Sequence, residues 1–155
     1  MRLELSEPAD QDKFKRVLPL AEAVLQLHEA GQSYEAELQR MSRLLGRIVG
    51  KPEVLTAFGS ADADAFARRL AIDWNTLPAD LSERELLELF EAICAARGNP
   101  VHIEYWVRCI EANTGDEQIS DLIFWPDEYF GAGYDGRELT PGEMLEVASR
   151  NRSAR

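Results

Sequence analysis

Asp121-Leu122-Ile123-Phe124-Trp125-Pro126 puts two large aromatics side by side between a carboxylate and a proline. Polar, turn-prone sequence runs up to it from Asn113 to Ser120, and Gly131, Gly133 and Gly136 follow it. Six residues ending in Pro are too few for a regular helix, so one short turn is expected. Such a turn cannot direct Leu122, Ile123, Phe124 and Trp125 to one side. Leu122 and Ile123 are expected to anchor it, leaving Phe124 and Trp125 partly accessible. Partly exposed aromatics beside a charge are the material of protein-binding hot spots. The competing reading is an aromatic plug that closes the core under a long loop.

Outward from this segment the chain reads as all-α. Leu81-Ser82-Glu83-Arg84-Glu85-Leu86 carries three helix-start devices: Ser82 as N-cap, Glu85 closing a capping box, and Leu81 with Leu86 as a hydrophobic staple. The helix they open buries Leu86, Leu89, Phe90, Ile93 and Cys94, and Gly98 ends it. Asn99-Pro100 starts the next helix with Pro at its first position. Its apolar face is predicted to be Ile103, Trp106, Val107 and Ile110, which leaves Val101, Glu104, Tyr105 and Arg108 on a second, mixed face. Thr140-Pro141-Gly142-Glu143 announces the last helix, whose apolar side is Met144, Leu145 and Val147.

The first half gives weaker boundaries. Phe14, Val17, Leu18, Ala21, Val24, Leu25 and Leu27 recur at a helical period between Asp12 and Ala30, with Gly31 as the stop. Pro19 interrupts the pattern and offers an alternative start. Ser33 is the expected cap of a helix through Tyr34, Leu38, Met41, Leu44 and Leu45 to Gly46. Lys51-Pro52 opens a short piece, and a helix from Ser60 to Trp74 is predicted to align Phe66, Leu70 and Trp74. Asn75 to Asp80 holds a Pro and no periodicity, so the chain divides into an extension at 1–77 and a domain at 78–155. The apolar stripes of 1–77 need cover, part of which the C-terminal domain or a second copy of the chain, as a homodimer, would provide.

A chain of 155 residues with 45% hydrophobic residues can bury a full core. It has no apolar run long enough to span a membrane and no signal-peptide stretch. Cys94 and Cys109 both fall in apolar helical patterns and are expected to be buried thiols in a reducing compartment, which makes the protein cytoplasmic. The charge is uneven. Residues 1–75 carry 10 Lys/Arg against 12 Asp/Glu, a net of −2, and residues 76–155 carry 7 against 16, a net of −9. An acidic half-molecule repels nucleic acid and favours basic partners.

The order of a capped helix, a mixed-face helix, a one-turn aromatic segment, an acidic glycine-rich loop and a Pro-started helix resembles the four-helix immunity proteins that protect bacteria from their own colicin and pyocin DNases. In that family the third element is a single turn written Asp-Leu-Ile-Tyr-Tyr-Pro, where this chain has Asp121 to Pro126. The first helix there opens with Thr or Ser and ends near Ile-Cys, to which Ser82 to Cys94, with Ile93-Cys94, is similar. The final helix opens with Ser-Pro and a small residue, which Thr140-Pro141-Gly142 resembles. The resemblance covers about residues 78–150. The chain departs from it in replacing both tyrosines by Phe124 and Trp125 and the His-Pro turn by Thr114-Gly115-Asp116-Glu117. The family's specificity helix is acid-rich at its start, whereas this chain has apolar Val101 there and a positive charge at Arg108, and residues 1–77 have no counterpart.

The resemblance implies a four-helix bundle, one helix being a single short turn, preceded by a three-helix extension. It also implies a bacteriocin immunity function: tight binding of a cognate toxin domain, a basic nuclease, beside its active site. Asp121, Phe124 and Trp125 would be the shared anchor. Val101, Glu104, Tyr105 and Arg108 would supply specificity. Neither nucleic acid nor a membrane is an expected partner, and no cofactor is expected. His28 and His102 lie on different helices without ligand spacing, and His102 and Glu104 diverge around their helix, so no metal site is expected. Glu85, Glu88 and Glu91 read as a solvated face, and no phosphate loop or nucleophile motif occurs. Lys13-Phe14-Lys15-Arg16 is a basic helix face more than a nucleic-acid site. The remaining alternatives are an acidic helical adaptor or DNA mimic without a toxin partner, and an enzyme whose carboxylates do not pair in sequence.

Overall fold

The structure, a computed structural model, describes residues 1–58 and 62–153. Every regular element among the described residues is a helix. The chain divides into two compact units, Glu7–Asp73 and a discontinuous one made of Met1–Ser6 with Trp74–Arg155.

In the unit Glu7–Asp73, a long helix α2 (Gln11–Glu29) packs against α3 (Glu35–Leu45) and α5 (Ala63–Leu70), and α4 (Lys51–Phe58) lies between the last two in sequence. The first helix of the chain, α1 (Leu3–Ser6), belongs to the other unit. Asp10 caps α2 by accepting from the Lys13 N–H at 3.1 Å, and its own N–H donates to Ala71 at 3.0 Å, closing the unit's two ends. The helix runs straight through Pro19, so the alternative start there does not apply. Pro19 is exposed, so the Lys15 carbonyl it leaves without a donor lies on the solvent side. Phe14, Val17, Ala21 and Val24 meanwhile keep one buried stripe on both sides of it.

Two expected boundaries move. Tyr34, not Ser33, sits at the N-cap of α3 and makes no side-chain cap bond. Its ring is buried and its hydroxyl lies 3.2 Å from His28 Nδ1, so a tertiary contact sets the chain's entry in place of a cap. The expected helix start at Ser60 lies outside the described residues. α5 is capped by Asp62 and ends at Leu70, leaving Trp74 beyond the helix and in the other unit.

Among the described residues the unit Glu7–Asp73 thus has four helices where three were expected. The second unit has, besides α1, five where four were expected: α6 (Glu83–Cys94), α7 (Pro100–Thr114), α8 (Ile119–Phe124), α9 (Pro126–Phe130) and α10 (Pro141–Ser153). The unforeseen one is α9, which Pro126 starts. α6 packs on α7 and α10, α7 on α8 and α10, and α8 on α9 and α10. The Ser82–Glu85 capping box forms, as does a reciprocal pair between Thr140 and Glu143. Asn99 caps α7 with Pro100 in its first turn. Leu86, Leu89, Phe90, Ile110, Ile119 and Leu122 form the fully buried centre.

The unit's limits differ from a division at 77/78. Leu5 is fully buried, the Trp106 indole N–H donates to its carbonyl at 2.7 Å, and Arg2 pairs with Glu85 and Asp80. Those contacts make Met1–Ser6 a strap on the C-terminal helices. Cys109 is buried as expected, but Cys94 is exposed. Cys94 is the last residue of α6, where the stripe leaves the core, and its Sγ lies 3.8 Å from Met144 Sδ.

Candidate functional site

α8 is the short turn expected of the hexapeptide, begun two residues earlier. Ile119 and Leu122, three apart and both fully buried, anchor it, while Ile123 is only half-buried. Pro126 disfavours helical backbone at the residue before it, and Trp125 accordingly leaves the helix at φ −140° and ψ 63°. It is the C-cap of α8 and the N-cap of α9 at once. Its N–H donates to Asp121 at 2.7 Å, and its carbonyl accepts from Glu128 at 2.9 Å and Tyr129 at 3.1 Å. The backbone at Trp125 is thereby clamped on both sides while the indole stands out, 64% exposed, beside Phe124 at 46%. Asp121, in the first turn of α8, is half-buried.

The helix expected to lend specificity supplies less. Val101 and Tyr105 are buried, at 7% and 5%, so half of the predicted mixed face is core. α7 is covered on more sides than an amphipathic pattern foresees. The strap meets it at Trp106, and Trp74 packs edge-on against Tyr105 with ring centroids 5.9 Å apart. Glu104 is half-buried, and Arg108 is exposed. These two pair at 3.8 Å, and the Arg108 guanidinium also lies 5.9 Å from the Trp74 ring.

A second aromatic group follows the first. Phe130, 40% exposed, stacks on Tyr134 with centroids 4.9 Å apart and 17° between planes, and Tyr129 meets it edge-on at 5.0 Å. The Tyr129 hydroxyl donates to Asp116 Oδ2 at 2.7 Å, while Asp116 Oδ1 accepts the Gln118 N–H at 2.9 Å. Asp116 is itself buried, so this carboxylate ties α9 to the start of α8. The signal available in sequence was Tyr129-Phe130-Gly131-Ala132-Gly133-Tyr134, aromatics bracketing two glycines. Both glycines take positive φ, 79° and 95°, which lets the chain turn back so that Tyr134 reaches Phe130.

The electrostatics of this region are one-sided. From Cys109 to Gly136 the chain has seven carboxylates and no Lys or Arg. The flanking cations are engaged, Arg108 with Glu104 and Arg137 with Glu143 at 2.7 Å. Burial raises the Glu111 carboxyl above its ordinary range, with Glu117 and Asp116 adding to the shift against Arg108. Burial and then Asp135 likewise push the Tyr134 hydroxyl up.

Among the described residues no group of three or more His, Cys, Asp or Glu side chains could hold a metal ion, and no helix is long and apolar enough to cross a membrane. Glu85 is engaged by the Ser82 cap and by Arg2. No family model, curated protein or solved structure matches the chain.

Proposed function

We propose that this chain is a non-catalytic binding protein that neutralises a basic protein partner, and that the partner is a bacteriocin-type nuclease. The observation that carries the reading is the exposure of two adjacent large aromatics, Trp125 at 64% and Phe124 at 46%, within the acidic stretch. The Trp125 backbone is held by hydrogen bonds on both sides, so the main chain needs little ordering on binding. Aromatic anchors carry most of the affinity in interfaces of this kind. The surrounding carboxylates would steer a basic partner and repel the nucleic acid competing for it.

The finer reading, an immunity protein of the colicin and pyocin DNase type, draws on the order of elements. A Ser-capped α6, a longer α7, a six-residue α8 stopped before Pro126 and a Thr-capped α10 come in the order of that family's helices, with the five-residue α9 added between the last two. In this reading Asp121, Phe124 and Trp125 are the anchor, and Glu104 and Arg108 are the accessible contributors from α7.

The test is inhibition of purified bacteriocin DNase domains by the full-length chain, read as plasmid cleavage, beginning with any nuclease-type toxin encoded beside it. One of these domains is expected to be blocked at stoichiometric inhibitor. Trp125→Ala, with an unchanged helical spectrum, should then lose about 2–4 kcal/mol of affinity. Unchanged inhibition by the folded variant, or no inhibition of any nuclease, would overturn the reading.

A further inference from the structure

Trp125 and Phe124 account for only part of the exposed aromatic surface in the acidic stretch. Phe130 is 40% exposed and forms a parallel stack with Tyr134, which Tyr129 braces from the edge. The centre of the core is made instead by Phe90, Leu89, Ile110 and Leu122. The geometry of Tyr129, Phe130 and Tyr134 is nonetheless fixed. The Tyr129 hydroxyl is anchored on buried Asp116, the Tyr134 hydroxyl donates to the Arg137 carbonyl, and the Gly131 N–H closes α9 on the Asp127 carbonyl at 2.9 Å. Asp127, Glu128 and Asp135 are all exposed, and Asp127 and Asp135 act on the Tyr134 hydroxyl. The nearest cation in sequence, Arg137, is held by Glu143 and by its own N–H to Asp135. Besides burial, the Tyr134 hydroxyl feels Asp135 first, then Arg137 in the opposite sense, then Asp127 and Glu143, so three carboxylates face one cation there, and that cation is already paired with Glu143.

A flat aromatic pair under a negative field suits one kind of side chain. A guanidinium is planar, weakly hydrated and able to stack, and it can pair with a carboxylate at its edge while its face lies on a ring. An ammonium is more strongly hydrated and gains less from the same surface. We propose that the Phe130–Tyr134 stack, fenced by Asp127 and Asp135, is a docking platform for an arginine side chain of the basic partner. The proposal rests on reading this face as the partner surface. It shifts the specificity contribution from the α7 face, half of which is core, to the segment 126–137, with Trp125 as the general anchor and the stack as the selective one.

The test uses the full chain and a capped glycine–arginine–glycine peptide, with its lysine counterpart as control, followed through the ring proton resonances of Phe130 and Tyr134. The arginine peptide is expected to shift both sets saturably and to bind about three-fold more tightly than the lysine peptide. Phe130→Leu should erase that preference. Asp127→Asn, which leaves every ring in place, should weaken both peptides. Equal binding of the two peptides, or an arginine preference that survives Phe130→Leu in a chain whose other resonances are unmoved, would overturn the platform. The two readings fail separately. A nuclease inhibited equally well by wild type and Phe130→Leu removes the platform and leaves the inhibitor. A chain that prefers the arginine peptide but inhibits no nuclease keeps the platform and loses the nuclease.

Discussion

The indole N–H of Trp106 donates to the carbonyl of Leu5 at 2.7 Å, across 101 positions of sequence. The bond is buried, and Leu5 has no exposed surface. Residues 7–73 are therefore an insertion between the strap and the body of the C-terminal unit, and the strap is part of that unit's core. Leu5→Ala is expected to cost about 2–5 kcal/mol, the range for emptying a buried leucine site. A fragment starting at residue 74 loses the side chain's burial and also orphans the Trp106 donor, a further cost of about 1–3 kcal/mol. Urea unfolding checks both. Joining Met1–Ser6 to residue 74 through a flexible linker should recover most of the fragment's loss. A fragment 74–155 as stable as the full chain's C-terminal transition would show that the strap contributes nothing.

The same strap gives the unit an acid-sensitive clamp. Hydrogen bonding to Arg2 is the first cause that holds both the Glu85 and Asp80 carboxyls below their ordinary range, aided at Glu85 by the Ser82 N–H. Glu143 is depressed too, by the Thr140 N–H first and then by Arg137. A carboxyl whose folded pKa is depressed contributes stability above its unfolded pKa and loses it as pH falls through the folded value. Glu111, raised by burial, acts in the opposite sense, since acidification relieves the cost of its buried charge. Arg2→Gln should therefore lower the urea midpoint at pH 7, and the gap to wild type should narrow below about pH 4 as Asp80 and Glu85 protonate. A gap that stays constant from pH 7 to pH 3 would remove Arg2 from the acid response.

What could be read in the sequence follows the range of the interactions that decide it. The Ser82–Glu85 and Thr140–Glu143 boxes and the Asn99-Pro100 start are settled within four residues, and all three form. The exposure of Phe124 and Trp125 was legible for the same reason, since Pro126 cuts the helix short beside them. On α7 the apolar face was legible, with Trp106, Val107 and Ile110 buried as expected, but the burial of Val101 and Tyr105 on its second face was not. Tyr105 is packed by Trp74 and Trp106 is held by Leu5, partners 31 and 101 positions away that no periodicity along α7 encodes. The Phe130–Tyr134 stack stayed hidden because it depends on two positive-φ glycines that bring the rings together. Pro19 failed as a helix start because a proline on an exposed face leaves its orphaned carbonyl to water.

The end of α6 stores strain that a single substitution can release. The Ala96 N–H bonds the Ile93 carbonyl at 3.0 Å and the Arg97 N–H bonds the Ala92 carbonyl at 2.9 Å, the paired bonds of a Schellman stop. Its left-handed position is held by Ala96 at φ 52°, where glycine is the usual occupant, so the stop falls two residues before Gly98, the expected terminator. A side chain in that conformation costs about 1–2 kcal/mol. Glycine removes the strain but gives back about 0.5–1 kcal/mol through the greater freedom of the unfolded chain. Ala96→Gly is therefore expected to stabilise the unit by up to about 1.5 kcal/mol, each kcal/mol raising its melting temperature by about 4–8 °C. Ala95→Gly is the matched control. Ala95 is right-handed, at φ −84°, so the same change one residue earlier only adds unfolded-state entropy and should destabilise. Opposite signs at these neighbours, read by thermal unfolding followed through helical circular dichroism, would tie the effect to backbone strain. A loss of stability at both would mean that glycine's entropy outweighs whatever strain Ala96 holds.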